Sequence, residues 1–554
     1  MKVTRRDLLV WSAGAAAGLM VTPVPWKLMD DVSIWSQNWP WIPQPTRGPI
    51  EVKQSACTLC PHGCAMRVRM AGGFAVGVAG VATNPVTRGA LCPLGFGAHQ
   101  LNWHPERLRV VKHRGNSSSW GEARQAFTKA ASEGPVVVID GYPGRAVSQV
   151  LESFAESRRA QYRVVVGPET RSLASYEKWS RVPALSLGYD LENAHTIVSF
   201  GAPLLDGWGT PGRFTRRWAE QAAGMADPQL RLIQVGPEIS RTSARAWKWI
   251  PVHPHGEAAL AAGLARVLLE EHLVPARGPM PAITLADASV QSGVSPDAIR
   301  GLARTIIARP PVLAIANDDD PAIAALNIVL GAVGARGGIV RRSKAAKSYA
   351  SADAVVSSAR AVLIDASVPW DFVPQTDAEV FRFAAWDGGS GKWLLPAPGF
   401  LEDLTDVPAA PASAIETYAI APGLVKAPHE TASAAQFLAS VDPTLPTAEK
   451  IIHGRCEALF RARAGSLVAK ETIPAAKIAS PQKLEEELRN GAIWIGDPLR
   501  QEGFRCQLKE WPAAVSSRPP QTWSAAWPTV VLPPLASKLY RESSLRDEPL
   551  GRNA

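Results

Sequence analysis

Four of the six cysteines in this 554-residue chain fall within residues 57–92. Their spacing is Cys57-x2-Cys60-x3-Cys64, then 27 residues, then Cys92. Three thiolates so close in sequence must converge on one point, and the fourth returns from a distance to close the site. Four thiolates suit a cubane [4Fe–4S] cluster or a tetrahedral zinc ion. All-thiolate zinc sites usually pair two Cys-x2-Cys knuckles, and Cys92 has no neighbouring cysteine. The triplet with one distant cysteine favours the cluster, with zinc and disulfides as the alternatives. Cys57, Cys60, Cys64 and Cys92 are thus the candidate cofactor- and metal-binding residues. No catalytic residue is assigned, since no Ser/His/Asp set or phosphate-binding loop is present.

The residues between the ligands predict a small β domain. Val68 and Met70 alternate with Arg67 and Arg69, Ala71-Gly72-Gly73 makes a turn, and the chain resumes at Phe74–Val78. This is a hairpin pattern. Asn84-Pro85 and Gly89 then supply the turn that delivers Cys92.

Beyond residue 115 the pattern changes. Ser119-Trp120-Gly121-Glu122 is a capping box opening a helix. Short β-branched runs at Pro135–Ile139, Tyr162–Val166, Thr196–Phe200, Leu230–Val235, Val312–Ala316 and Val362–Asp365 alternate with helical stretches such as Pro321–Leu330. Continuous apolar runs of this length predict a largely parallel sheet covered on both faces, an α/β architecture. At 46% hydrophobic the chain can bury several cores. Its net charge of +9 is dispersed, with no basic block to suggest nucleic acid.

The ends differ from the middle. Thr4-Arg5-Arg6-Asp7-Leu8-Leu9 resembles a twin-arginine export signal, followed by an apolar run to Val21 that is short for a membrane span of about 20 residues. Residues 1–27 are expected to be that signal or a retained anchor. The expected localisation is the periplasmic side of the inner membrane. Residues 28–50, rich in Trp and Pro, and residues 501–554 read as extended arms lying on other surfaces.

Cys57-Thr58-Leu59-Cys60-Pro61-His62-Gly63-Cys64, the hairpin, Asn84–Gly89 and Leu91-Cys92-Pro93-Leu94-Gly95 resemble the N-terminal iron–sulfur domain of the molybdopterin oxidoreductase family. Gly236-Pro237-Glu238, Ile250–Leu260, Gly331–Gly338 and Leu394–Glu402 are similar to that family's segments around its pterin dinucleotide. The resemblance implies a small β-rich iron–sulfur domain over residues 51–115. Rossmann-like α/β domains would follow at 116–260 and 261–500. Three departures stand out. Leu94 occupies the place of the family's usual Lys or Arg between cluster and pterin. No cysteine lies between Cys92 and Cys456 to ligate molybdenum, leaving Ser172 or Ser175 as stand-ins by order. After Asp497 only 57 residues remain, too few for the family's usual C-terminal β-barrel domain.

The arm Asp30–Trp39 resembles the branch of the family found in menaquinone reductase and alternative complex III assemblies. That implies one [4Fe–4S] cluster, no molybdopterin guanine dinucleotide, and an electron-transfer role between a cytochrome c and the menaquinone pool. The implied partners are a multihaem cytochrome c subunit, a ferredoxin-like iron–sulfur subunit and an integral membrane quinone-binding subunit. The alternative is a catalytic molybdenum bis-pterin subunit acting on a sulfur or nitrogen oxyanion. His62 is expected as a solvent-facing spacer, with hydrogen bonding to sulfur as the other possibility. His253 and His255 are expected to be positional. Cys456 and Cys506 are expected to be buried singletons, a disulfide between them being the alternative.

Overall fold

The computed structural model describes residues 3–21, 48–342, 350–351, 359–369, 372–374, 376–386, 391–469, 471–497 and 504–512. The chain separates into two units, Met1–Ile50 and Glu51–Ala554. In the first, Arg5–Val21 forms a helix. Thr4 and Asp7 bond reciprocally at its start, Thr4 N–H to Asp7 Oδ2 at 2.9 Å and Asp7 N–H to Thr4 Oγ1 at 3.3 Å. Among the described residues no helix is long and apolar enough to cross a membrane. The Trp/Pro-rich stretch up to residue 47 and the tail from 513 lie outside the described residues.

The larger unit opens with β1 (Ile50–Ala56), β2 (Ala65–Ala71) and β3 (Phe74–Gly80), a three-stranded sheet in that order. The β2–β3 hairpin is antiparallel, as the alternation of Val68 and Met70 with arginines predicts. Next come β4 (Lys112–His113), β5 (Asn116–Ser117), β6 (Val136–Asp140) and β7 (Gln161–Val164). The capping box forms as expected, with Ser119 and Glu122 bonding each other's backbone at the start of helix Trp120–Glu133.

The chain then leaves this sheet. Short β8 (Leu187–Tyr189) precedes β9 (Thr196–Phe200), β10 (Arg231–Gly236), β11 (Lys248–Pro251) and β12 (Val312–Ala316). The last four make an all-parallel sheet in the order β11-β10-β9-β12. Every residue of β9 and β12 is buried, as a sheet covered on both faces requires. Helices Glu257–Glu270 and Pro321–Leu330 pack into the core on one face.

After β13 (Ile339–Arg341), which pairs with β8, the chain returns through β14 (Ala350–Ser351), β15 (Ala361–Ile364), β16 (Glu379–Ala384) and β17 (Trp393–Pro396). These join the earlier strands in one eight-stranded sheet, β14-β7-β6-β15-β16-β17-β4-β5, parallel except for the β4 and β5 edge. The second sheet is therefore inserted within the first. A division at residue 260 falls between β11 and β12 of a single sheet. Apolar runs reveal strands but not their partners, and β6 pairs with β15 across more than two hundred residues.

A further antiparallel sheet was not foreseen. It consists of β18 (Thr405–Val407), β19 (Thr417–Ala421), β20 (Ser466–Val468), β21 (Thr472–Pro474) and β22 (Ile493–Ile495), ordered β18-β19-β22-β20-β21. Its strands are three to five residues long, too short to show a period. This sheet and the loop before it wall the N-terminal β domain. Phe400, Leu401 and Val425 pack with Cys57, Cys64, Met66 and Val68, and Val407 packs with Ala56, Ala65 and Val81.

Candidate functional site

The connection from β1 to β2 carries three of the four clustered cysteines. Cys57 follows β1 directly and Cys64 precedes β2, and the Cys57 N–H donates to the Cys64 carbonyl at 2.8 Å. The loop between them is pressed onto the antiparallel sheet at Gly63, which has φ +55°. A Cβ there would lie 1.9 Å from Val407 Cγ1, so only glycine fits. The fourth cysteine is delivered by the Asn84 turn. Asn84 Oδ1 accepts from the N–H groups of Val86 and Thr87 at 2.8 and 2.7 Å, folding the chain back as expected. Cys92 then caps the short helix Pro93–Gly97, its Sγ accepting the Gly95 N–H at 3.4 Å.

Cys57 and Cys64 are buried and Cys60 and Cys92 half-buried, and none is in a disulfide. Burial pushes the Cys57 thiol up to about 12, the Leu59 N–H opposing this and the nearby Cys92 adding to it. Such a sulfur ionises only when a cation or cluster takes it as a ligand. Among the described residues no three His, Cys, Asp or Glu side chains are grouped as a single metal ion would need. Three free thiols on one loop, and a fourth near enough to Cys57 to act on it, fit the cluster in number and chemistry.

His62 is not the solvent-facing spacer that its Pro-His-Gly setting implies. Its side chain is wholly enclosed, with Nδ1 3.6 Å from Cys60 Sγ and Nε2 3.7 Å from Glu169 Oε1. Glu169 is equally buried, in the short helix Pro168–Arg171 that follows β7. The signal missed was the partner, 107 residues downstream of His62.

Ser172 and Ser175 are both buried and both engaged. Ser172 Oγ donates to the Glu169 carbonyl at 3.0 Å and lies 2.8 Å from the Tyr189 hydroxyl. Ser175 Oγ donates to Asp319 Oδ1 at 2.6 Å. Gly331–Gly338 acts as a helix cap: Gly331, at φ +73°, donates its N–H to Asn327 and Ile328 carbonyls. Cys456 lies in the core of the first sheet and Cys506 beside Tyr176 against the second, so the two do not meet.

A cavity of about 270 Å³ opens beside Cys60 and Pro61, at the carboxyl ends of β15, β16 and β17. Its arginines are all committed. Arg107 meets Glu402 fork to fork, both side chains within 2% of full burial. Arg145 bridges Asp140 at 2.9 Å and Asp365 at 2.7 Å. Arg382 donates to the carbonyls of Phe372 and Pro369 at 2.9 and 2.6 Å. Burial alone would raise the Asp140 carboxyl, but the Arg145 charge and bonds from Ser148, Tyr142 and Tyr162 outweigh it and hold it below its ordinary value. Asp403, also on the cavity wall, is raised by burial.

Residues 50–102 match the molybdopterin oxidoreductase Fe4S4 domain. The menaquinone reductase molybdopterin-binding-like subunit of Nitratidesulfovibrio vulgaris is 30% identical over 365 residues, 61% of this chain and 52% of that protein. The cysteine-bearing segment is thus similar to the iron–sulfur domain of molybdopterin oxidoreductases. The arsenate respiratory reductase molybdopterin-containing subunit of a Shewanella species is 24% identical over 252 residues, 42% of this chain and 29% of that one. The chain thus spans about half the length of the first relative and under a third of the second. Acetylene hydratase from Pelobacter acetylenicus shares the fold, with a TM-score of 0.60 and 11% identity, over 80% of this chain and 74% of that one.

The domain match supports one [4Fe–4S] cluster on the cysteine-bearing segment. The fit of the family's other cofactor is poorer. Pockets for drug-sized ligands span about 300–1,000 Å³, and a pterin dinucleotide is larger than such ligands. Its pyrophosphate also needs uncommitted cations or N–H groups, and the cavity's three arginines are spent on internal partners. Leu94, where the family usually has a cation, is buried.

Proposed function

We propose that this chain is an electron-transfer subunit of a membrane-attached respiratory oxidoreductase, holding its cluster on Cys57, Cys60, Cys64 and Cys92 and having no substrate site of its own. The observation that carries this reading is the cavity beside Cys60. Its arginines are engaged internally, two by carboxylates and one by backbone carbonyls, which suits a scaffold rather than a pocket for an anionic dinucleotide. When bound, the cluster takes up and releases one electron. The chain's own part is to bury two of the sulfurs, fix the loop against Val407 and exclude water from the cluster's inner side.

In this reading the molybdopterin guanine dinucleotide is lost. Electrons pass between a cytochrome c and menaquinone through neighbouring subunits: a multihaem cytochrome c, a ferredoxin-like iron–sulfur protein and a membrane quinone-binding subunit. The likeness to a menaquinone reductase subunit supports this assembly. So does the exposure of Phe74 and Trp103, whose rings lie 5.4 Å apart on the cysteine-bearing domain, since solitary proteins rarely leave such rings uncovered together. Export by the twin-arginine route, with Arg5 and Arg6 in its signal, would place the protein on the periplasmic side of the inner membrane.

Metal analysis of the purified protein tests the reading. About four iron and no molybdenum per chain are expected. Stoichiometric molybdenum with an extractable pterin would instead make it a catalytic subunit for a sulfur or nitrogen oxyanion.

A further inference from the structure

The enclosure of His62 calls for a reason. Burying an imidazole and a carboxylate together is unfavourable unless each finds a partner, and a loop spacer needs neither. Here the ring lies between the Cys60 sulfur and Glu169, 3.6 Å from one and 3.7 Å from the other, with both side chains at most 1% exposed. The two ring nitrogens therefore have separate and specific tasks.

We propose that His62 is a positioning residue for the cluster: it donates its Nδ1–H to the sulfur of Cys60, Glu169 fixes the ring in that orientation, and the bond raises the cluster's reduction potential. The inference rests on the reading of Cys60 as a cluster ligand. A ligand thiolate is a hydrogen-bond acceptor, and the nitrogen–sulfur distance is within reach of such a bond. A donor stabilises the reduced cluster, which carries one more negative charge, more than the oxidised one. The carboxylate behind Nε2 follows the logic of metal-site histidines, whose outer nitrogen is commonly held by an acidic group that fixes the ring. Cys60 is also the ligand that borders the cavity.

The test uses the full chain, purified with its cluster, in three variants: His62→Leu, His62→Gln and Glu169→Ala. Each is titrated electrochemically with paramagnetic resonance detection. Exchangeable protons near the reduced cluster are then read by their hyperfine coupling in ordinary and heavy water. His62→Leu should keep its iron, lower the midpoint potential and lose one exchangeable coupling. His62→Gln, whose amide can still donate, should recover part of both. Glu169→Ala should keep the ring but weaken the coupling. An iron-replete His62→Leu protein with unchanged potential and coupling would overturn the proposal. If that variant fails to assemble, unchanged potential and coupling in both other variants would do the same. Absence of a cluster in the parent protein would be seen before any substitution, and would sink the ligand reading instead.

Discussion

Arg107 and Glu402 meet as a buried fork, 295 residues apart in sequence, with side chains 2% and 1% exposed. Glu402 also accepts the Gly399 N–H at 2.7 Å, so the pair ties the end of the cysteine-bearing segment to the loop before β18. Removing one partner strands the other charge in the interior. Arg107→Met or Glu402→Gln alone should cost about 3–5 kcal/mol, while Arg107→Met combined with Glu402→Leu should recover much of it. Denaturant midpoints of the four proteins measure this, and simple additivity of the two losses would contradict it.

Gly63 makes a second, tighter contact across the same seam. Gly63→Ala meets both Val407 and an unfavourable φ, and should lose about 1–3 kcal/mol together with part of its iron. Adding Val407→Ala should relieve the clash but not the backbone strain. Full recovery in the double variant would mean that φ is unimportant.

Iron content separates the two classes of cysteine. Serine at Cys57, Cys60, Cys64 or Cys92 should reduce cluster iron severely, whereas Cys456→Ser and Cys506→Ser should leave it unchanged. Colorimetric iron assay against protein concentration decides this. Loss of iron in either of the last two would bring a residue from a separate core into the site.

Acid should act on the carboxylate-rich end of the first sheet. Asp140 is held below its ordinary value in the folded protein, so the unfolded chain takes up its proton first as pH falls. The stability this group contributes is complete above the unfolded value near about 3.9 and is lost as pH falls through the folded value. Thermal midpoints should therefore drop below about pH 4, and Asp140→Asn should be less stable at neutral pH with a shallower acid limb. A steeper acid limb in that variant would reverse the sign.

Much of this was legible because the signals are local. Val312–Ala316 and Pro321–Leu330 begin and end where the sequence predicts. The hairpin, the Asn84 turn and the Ser119 capping box follow from short-range chemistry in the same way. What escaped is non-local. Nothing near His62 announces Glu169, and nothing in β7 says that its sheet resumes beyond residue 350. Ser172 and Ser175, stand-ins only by their order in the chain, are engaged by Tyr189 and Asp319, which no spacing rule connects to them.

The wall that Phe400, Leu401, Val407 and Val425 build around Cys57 and its neighbours has a consequence for biosynthesis. A nascent chain bearing all four thiols owns only half of their container until more than three hundred further residues have left the ribosome. Metallation then belongs to the close of synthesis, and fragments stopped short of residue 400 should emerge colourless.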